Sequence, residues 1–190
     1  MIENKALDIT VPFKRSDYEV RPEWIDHNGH MNVIFYLEAF DHNIGDFFGS
    51  LGLTKEYRRA ENVATYCGDF HIHYTRELFR GTRLEITCQL VDFDEKRIQL
   101  CQSMYNAEEG YLAAESEVIY LHVDALTRKV SSMKPELFEK VKLTHEAHKK
   151  LGQPQQQGRF DPVGKESDGD LRVLPLAEPA AVAPDVRKKG

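Results

Sequence analysis

Trp24-Ile25-Asp26-His27-Asn28-Gly29-His30-Met31-Asn32 runs straight into Val33-Ile34-Phe35-Tyr36-Leu37-Glu38-Ala39-Phe40, and the reading of this junction decides the fold. From Asn32 onward Ile34, Leu37, Phe40, Ile44, Phe47 and Leu51 recur at spacings of three and four, which predicts a helix. Phe35, Tyr36, Ala39 and Phe48 widen the apolar face beyond an ordinary amphipathic stripe. A helix this apolar on most sides belongs inside other structure, so a central, largely enclosed helix is expected. The Asp, His, Asn and Gly in front of it are ordinary turn and N-cap residues and by themselves mark only a helix start.

Outward from the junction, strands surround the helix in sequence. Residues Arg15 to Arg21 alternate, with Tyr18 and Val20 on one side and Asp17, Glu19 and Arg21 on the other, until Pro22 ends the run. Gly49 and Gly52 mark the helix end, and Thr54 to Asn62 reads as a short helical connector. Val63 to Glu77 follows as a strand, with Phe70, Ile72 and Tyr74 opposite Asp69, His71, His73 and Thr75. Leu84 to Phe93, Arg97 to Tyr105 and Tyr111 to Val123 are three more, and their short connectors predict antiparallel neighbours. Pro135 opens a last helix to about Leu151, with Leu137, Phe138, Val141 and Leu143 as its apolar residues. The order is strand, helix, four strands, helix, an α+β chain.

Past Gly152 the composition changes. Five of the eight prolines lie there, with Gln155-Gln156-Gln157 and a single aromatic, Phe160. Little apolar surface is available to offset ordering entropy, so residues 152–190 are expected to form a disordered Pro/Gln/Ala-rich tail behind a domain at 1–151. Six Lys/Arg and six Asp/Glu cancel in the tail, which leaves the net charge of -6 on the domain. That sign gives no global attraction for nucleic acid.

The 190 residues suffice for one domain with a real core. No window reaches the roughly 20 apolar residues of a membrane span, and Met1-Ile2-Glu3-Asn4-Lys5 lacks a signal-peptide layout, so a cytoplasmic protein without membrane partners is expected. Cys67, Cys88 and Cys101 are odd in number, widely spaced and set in strands, which suits reduced structural thiols better than disulfides or zinc. His71 and His73 share a strand face with Asp69 but have no further ligand at a helpful spacing, so no metal is expected. His145 and His148, one helical turn apart, read as solvated helix-end residues.

With one apolar helix and an antiparallel sheet to wrap it, the chain resembles the hot-dog acyl-CoA thioesterases of the 4-hydroxybenzoyl-CoA thioesterase type. The resemblance rests on Asp26, on Gly29-His30-Met31-Asn32 and on Tyr36-Leu37 in the helix. Ile72-His73-Tyr74 and the turn Gly81-Thr82-Arg83-Leu84 add to it. It covers roughly Asp17 to Ala147. The wording from Trp24 to Met31, with His122-Val123-Asp124, is similar to the carnitine-degradation branch, whose members hydrolyse betainyl-CoA. Asn32-Val33 departs from the Thr-Glu pair of that branch.

The resemblance implies a hot-dog fold, a homodimer or tetramer, acyl-CoA as substrate and no cofactor. It also implies thioester hydrolysis with Asp26 as nucleophile or general base. Asp26, His30 and Asn32 are then the catalytic candidates, and Met31, Val33 and Tyr36 the substrate-binding ones. The first helical N–H groups, from Met31 to Ile34, lack intrahelical acceptors and sit at the positive end of the helix dipole, a place for the thioester oxygen. Other readings stand beside these. Asp26 is equally a turn carboxylate, Asn32 a helix cap, His30 a loop-orienting residue, and Glu38 a rival carboxylate. Arg76, Arg80, Arg83, Lys96 and Arg97 are candidates for the phosphates of CoA. Two other functions stay open: an enoyl-CoA hydratase, whose Asp-x-Asn-…-His motif this chain meets one residue short, and a non-catalytic acyl-CoA binding module.

Overall fold

In the computed structural model, which describes residues 11–152 and 154, one antiparallel sheet curls around a long helix. The elements are β1 (Phe13–Glu19), a 3-10 turn (Pro22–Trp24), α1 (Val33–Leu51), α2 (Lys55–Glu61), β2 (Val63–Tyr74), β3 (Arg83–Phe93), β4 (Arg97–Asn106), β5 (Leu112–Asp124), β6 (Lys129–Val130) and α3 (Pro135–His148), the last continued by a 3-10 turn at Lys149–Leu151. The strand order is β1-β3-β4-β5-β2, with β6 beside the end of β5. This is the α+β hot-dog architecture that the resemblance implies. The expected tail, residues 153 and 155–190, lies outside the described residues.

Alternation along the strands separates two faces. The inner face carries Leu84, Ile86, Cys88 and Leu90 of β3 and Leu100 and Met104 of β4, all buried against Phe40, Ile44, Phe47 and Phe48 of α1. A polar chain crosses this core: the Asn43 side chain on α1 donates to Gln102 Oε1 at 2.8 Å, and Gln102 donates to Ser116 Oγ at 3.1 Å. It fixes the roll of the helix over β4 and β5, because a buried amide without its partner costs about 1–3 kcal/mol.

Several details depart from the sequence reading. The helix is enclosed on one side only. Glu38, Asp41, His42, Gly45 and Asp46 line an open flank, and Val33, Ile34 and Leu37 at its first turns are 57, 62 and 43% exposed. The apolar excess that suggested full enclosure therefore serves two surfaces, the core and an outward patch. β1 begins at Phe13 and ends at Glu19, two residues ahead of the expected bounds, with a register shift between Arg15 and Tyr18. β6 was not foreseen, since two residues carry no period. It follows a turn in which Asp124 Oδ1 accepts from the Leu126 and Thr127 N–H groups.

On α3, Leu137 and Val141 enter the core, but Leu143 points out at 60% exposure. Its two histidines are not solvated. His148 is buried, its Nδ1 accepts from the Leu90 N–H at 2.9 Å, and its ring stacks on Phe47. His145 Nε2 meets the Val91 carbonyl at 3.1 Å. The β1 pairing reaches no further along β3 than Cys88, and the imidazoles take up the ladder where that strand has run out.

Candidate active site

The run from Trp24 to Asn32 folds as a miniature hairpin. Ile25 and Met31 form an antiparallel bridge, the Asp26 N–H donates to the His30 carbonyl at 3.0 Å, and the Gly29 N–H donates to the Asp26 carbonyl at 3.1 Å. Gly29 sits at φ +86°, a conformation open to glycine and strained for other side chains. Asp26 Oδ1 accepts from the Asn28 N–H at 2.8 Å, an Asx turn inside the hairpin. Two anchors hold the hairpin's base: the Asn32 N–H donates to the Trp24 carbonyl at 2.8 Å and the Met31 N–H to the Leu78 carbonyl at 2.7 Å. Trp24, fully buried, stacks on Phe35 of α1 with ring centroids 5.4 Å apart.

These bonds sort the helix-start amides. Met31 and Asn32 have given their N–H groups to backbone carbonyls. The Ile34 N–H donates to Asn32 Oδ1 at 3.1 Å and the Phe35 N–H to the Asn32 carbonyl at 3.0 Å. Of the four amides from Met31 to Ile34, only the Val33 N–H donates to none of these acceptors. The broad oxyanion site thus narrows to the first residue of the helix. Asn32 is the N-cap, with its carboxamide oxygen committed to the helix.

Beside the helix start lies a cavity of about 280 Å³, lined by Asp26, His30, Met31, Val33 and Tyr36 on one side and Tyr74, Thr75, Arg76 and Glu77 on the other. Five of the six residues named from sequence meet there; Asn32 does not line it. Of the second group, the sequence singles out Arg76 as a phosphate candidate and Tyr74 through the resemblance, but not Thr75 or Glu77 as site residues. This group runs on from the end of β2, and only the strand's length hinted that its tip reaches the helix start.

The Asp26 side chain is 13% exposed, with His30 Nδ1 at 4.0 Å from its Oδ2. Burial opposes its ionisation, but the Asn28 N–H and the charges of His30 and His27 prevail and hold the carboxyl below its ordinary range. It is an anion at neutral pH, fit to attack or to accept a proton. His30 lies between two carboxylates, its Nε2 3.9 Å from Glu77 Oε1. Tyr36 is buried edge-on against Tyr74, ring centroids 5.2 Å apart, and burial pushes its hydroxyl up to about 12, so it stays a neutral donor.

The rival carboxylate is elsewhere. Glu38 points along the open flank of α1, its Oε1 3.4 Å from Arg21 Nη2, and does not line the cavity. Of the proposed phosphate ligands, Arg76 is at the cavity wall, its guanidinium 3.8 Å over the Tyr111 ring. Arg83 pairs with Glu108. Lys96 and Arg97 stand at the far end of the sheet, where Arg97 is bound to Asp94 at 2.6 Å. His71 and His73 face outward opposite Glu117 and Glu115 of β5, and among the described residues no group of three His, Cys, Asp or Glu converges as a metal site.

Comparison with known proteins bears on this geometry. A betainyl-CoA thioesterase of Pseudomonas aeruginosa is 31% identical over 140 residues, which is 74% of this chain and 88% of that one. An L-carnitine dehydrogenase/betainyl-CoA thioesterase of Rhizobium meliloti is 33% identical over 156 residues; the match takes in 82% of this chain but 31% of that longer protein. Among solved structures, a Staphylococcus aureus protein in complex with CoA superposes with a TM-score of 0.73 at 25% identity, covering 80% of this chain and 96% of that one. The family model described as thioesterase-like superfamily matches residues 20–141, a span that holds both walls of the cavity and the helix between them, and the chain belongs to that family.

Proposed function

We infer that this chain hydrolyses an acyl-CoA thioester to the free acid and CoA. The observation that carries the reading is an ionised Asp26 on the wall of a cavity at the positive end of α1. With the thioester carbonyl at the helix start, its oxygen meets the Val33 N–H and the helix dipole, which stabilise the negative charge that develops there. Asp26 then either attacks the carbonyl carbon, giving an acyl anhydride that water opens, or takes a proton from the water that attacks. In both routes the C–S bond breaks and CoA leaves as the thiol. His30, between Asp26 and Glu77, holds the carboxylate and sits where a proton is available for the departing sulfur.

For the acyl group, the betainyl-CoA named for the relatives supplies the favoured candidate. A quaternary ammonium is drawn to aromatic faces and to carboxylates, and Tyr36, Tyr74 and Glu77 offer both on the cavity wall. Arg76 at the same wall is the candidate for a CoA phosphate. The chemistry calls only on a carboxylate, an amide and water, so turnover is expected to survive dialysis against a chelator.

A homodimer completes the reading. β2 pairs with β5 along one edge, and among the described residues no strand takes the other. The exposed Val33, Ile34, Leu37 and Tyr74 lie where that edge meets the site. Pairing of two β2 edges removes an open strand and covers the patch.

A thiol-release assay across betainyl-, short-, medium-, long-chain and aromatic acyl-CoA tests the activity and ranks the acyl groups. Asp26→Asn is expected to lower kcat by at least about a hundredfold in a protein that melts as the parent does. Retention of more than about a tenth of the activity in Asp26→Asn, with loss in Glu38→Gln, transfers the role to Glu38. After a single turnover in oxygen-18 water, label in the Asp26 carboxylate identifies attack by Asp26 with water opening the anhydride at the Asp26 carbonyl, and rapid-quench trapping of an acylated Asp26 identifies attack whichever carbonyl water takes.

A further inference from the structure

Pairing between β2 and β5 stops at Tyr74 and Ala114, and the stretch that forms the second cavity wall leaves the sheet there. Its first two residues are still held by main chain. The Thr75 and Arg76 N–H groups both donate to the Ala113 carbonyl, at 2.9 and 3.1 Å, and the Thr75 hydroxyl donates to the Leu112 carbonyl at 2.9 Å. At Leu78 the carbonyl accepts from the Met31 N–H. Between these anchors Glu77 makes no backbone–backbone hydrogen bond among the described residues. Its carboxylate nevertheless stands 3.9 Å from His30 Nε2, on a side chain that is 63% exposed.

One side chain bridges this gap from behind. Tyr111, just ahead of β5, donates its hydroxyl to the Glu77 carbonyl at 2.8 Å, and its ring lies 3.8 Å under the Arg76 guanidinium. Tyr111 does not itself line the cavity. It is well fixed: it packs on the core cluster that holds Tyr36, Leu78 and Ala113, and its carbonyl accepts from the Asn106 N–H at 3.0 Å. The turn between β4 and β5 adds a second hold on Arg76, whose Nη2 is 3.8 Å from Glu109 Oε2. Asn106 Oδ1 steadies that turn by accepting from the Glu108 and Glu109 N–H groups at 2.9 and 3.0 Å.

With acyl-CoA hydrolysis as the premise, we propose that Tyr111 is a positioning residue for substrate binding, which sets Glu77 and Arg76 on the cavity wall without touching the substrate. Its two parts serve the two ends of the ligand. The hydroxyl fixes the Glu77 backbone so that the carboxylate faces the acyl group, and the ring carries the guanidinium assigned to a CoA phosphate. A recognition group on an untied segment must be ordered when the ligand arrives, and that cost falls on binding. Asp26 is held by its own hairpin, so the chemical step is insulated from the change.

Two variants divide the roles. Tyr111→Phe deletes the hydroxyl and keeps the ring. Its KM for the parent's best acyl-CoA is expected to rise roughly three- to tenfold with kcat within about twofold, while free CoA, which has no acyl group, binds by calorimetry as it does to the parent. Added to Glu77→Gln, the same change is expected to have little further effect, because it acts through that carboxylate. Tyr111→Leu removes the ring as well and is expected to weaken CoA binding by about threefold or more. A merely structural tyrosine would lower the melting temperature and move none of these ratios. Unchanged KM in Tyr111→Phe, full additivity with Glu77→Gln, or a fall in kcat as large as the rise in KM overturns the proposal. A parent that binds CoA but turns over no acyl-CoA refutes hydrolysis alone; Tyr111 is then judged by calorimetry, where weaker CoA binding in Tyr111→Leu supports its role and equal affinity overturns it. A parent that binds no CoA overturns both.

Discussion

Asp26 is fixed by bonds that its own neighbours supply, and this gives its pH behaviour a definite sign. Its carboxyl ionises below the ordinary 3.8 despite being largely enclosed, so kcat/KM is expected to hold level through neutrality and to fall only at pH values below that figure. A limb centred near neutrality would take the role of titrating group away from Asp26. His148 provides a second, opposite case in stability. Burial lowers its pKa from 6.5, and the neutral ring accepts from the Leu90 N–H; the stability this contributes is fully present above 6.5 and is lost as the pH falls from there through the depressed folded-state value. His122, also buried with a lowered pKa, adds to the same loss. Melting temperature is expected to drop as pH falls below 6.5, and His148→Asn to be less stable by about 1–3 kcal/mol at neutrality with a shallower acid slope. The family resemblance singled out Asp26, His30, Met31, Val33 and Tyr36, near neighbours around one helix start that line one cavity. It did not join Tyr74 or Arg76 to that cluster and passed over Thr75 and Glu77, because these residues reach the same cavity through tertiary packing that no local spacing encodes. His148 was misread for the same reason, since a polar residue near a helix end looks solvated until the strand beside it is known.

At the scale of the element, α1 does two jobs that its period blends. Its inward stripe was readable from the three-and-four spacing, and so were its N-cap at Asn32 and its end at Gly52. The outward patch was not, because Val33, Ile34 and Leu37 are as apolar as the core residues they follow. The seat of the helix depends on Asn43 as much as on the phenylalanines. Asn43→Ala removes the donor to Gln102, and a loss of about 1–3 kcal/mol is expected in denaturant unfolding. Asn43→Ala with Gln102→Leu is expected to lose less than the sum of the single changes, the signature of a shared bond. β2, β3, β4 and β5 were foreseen nearly at their observed bounds from alternation and turn residues. The bulge between Cys67 and Asp69 and the short β6 escaped, since a one-residue slip or a two-residue strand leaves too few side chains to show a period.

At the scale of the molecule, the β2 edge takes no further strand among the described residues, and that edge and the apolar patch of α1 lie beside the cavity. A homodimer through β2 is expected in light scattering at micromolar concentration, and Leu37→Glu, which places a charge in the patch, is expected to shift it toward monomer and lower activity together. A wild-type monomer that still turns over acyl-CoA would separate the site from any partner. The cavity itself has walls of different origin: the hairpin from Trp24 to Asn32 supplies the carboxylate, and the stretch after β2 supplies Tyr74 to Glu77. A single hydrogen bond from the Met31 N–H to the Leu78 carbonyl marks the seam between them. On the proposed reading the reacting carboxylate and two of the three acyl-recognising groups stand on different walls, so a lineage can exchange one wall to visit new substrates while the other keeps cutting the same bond.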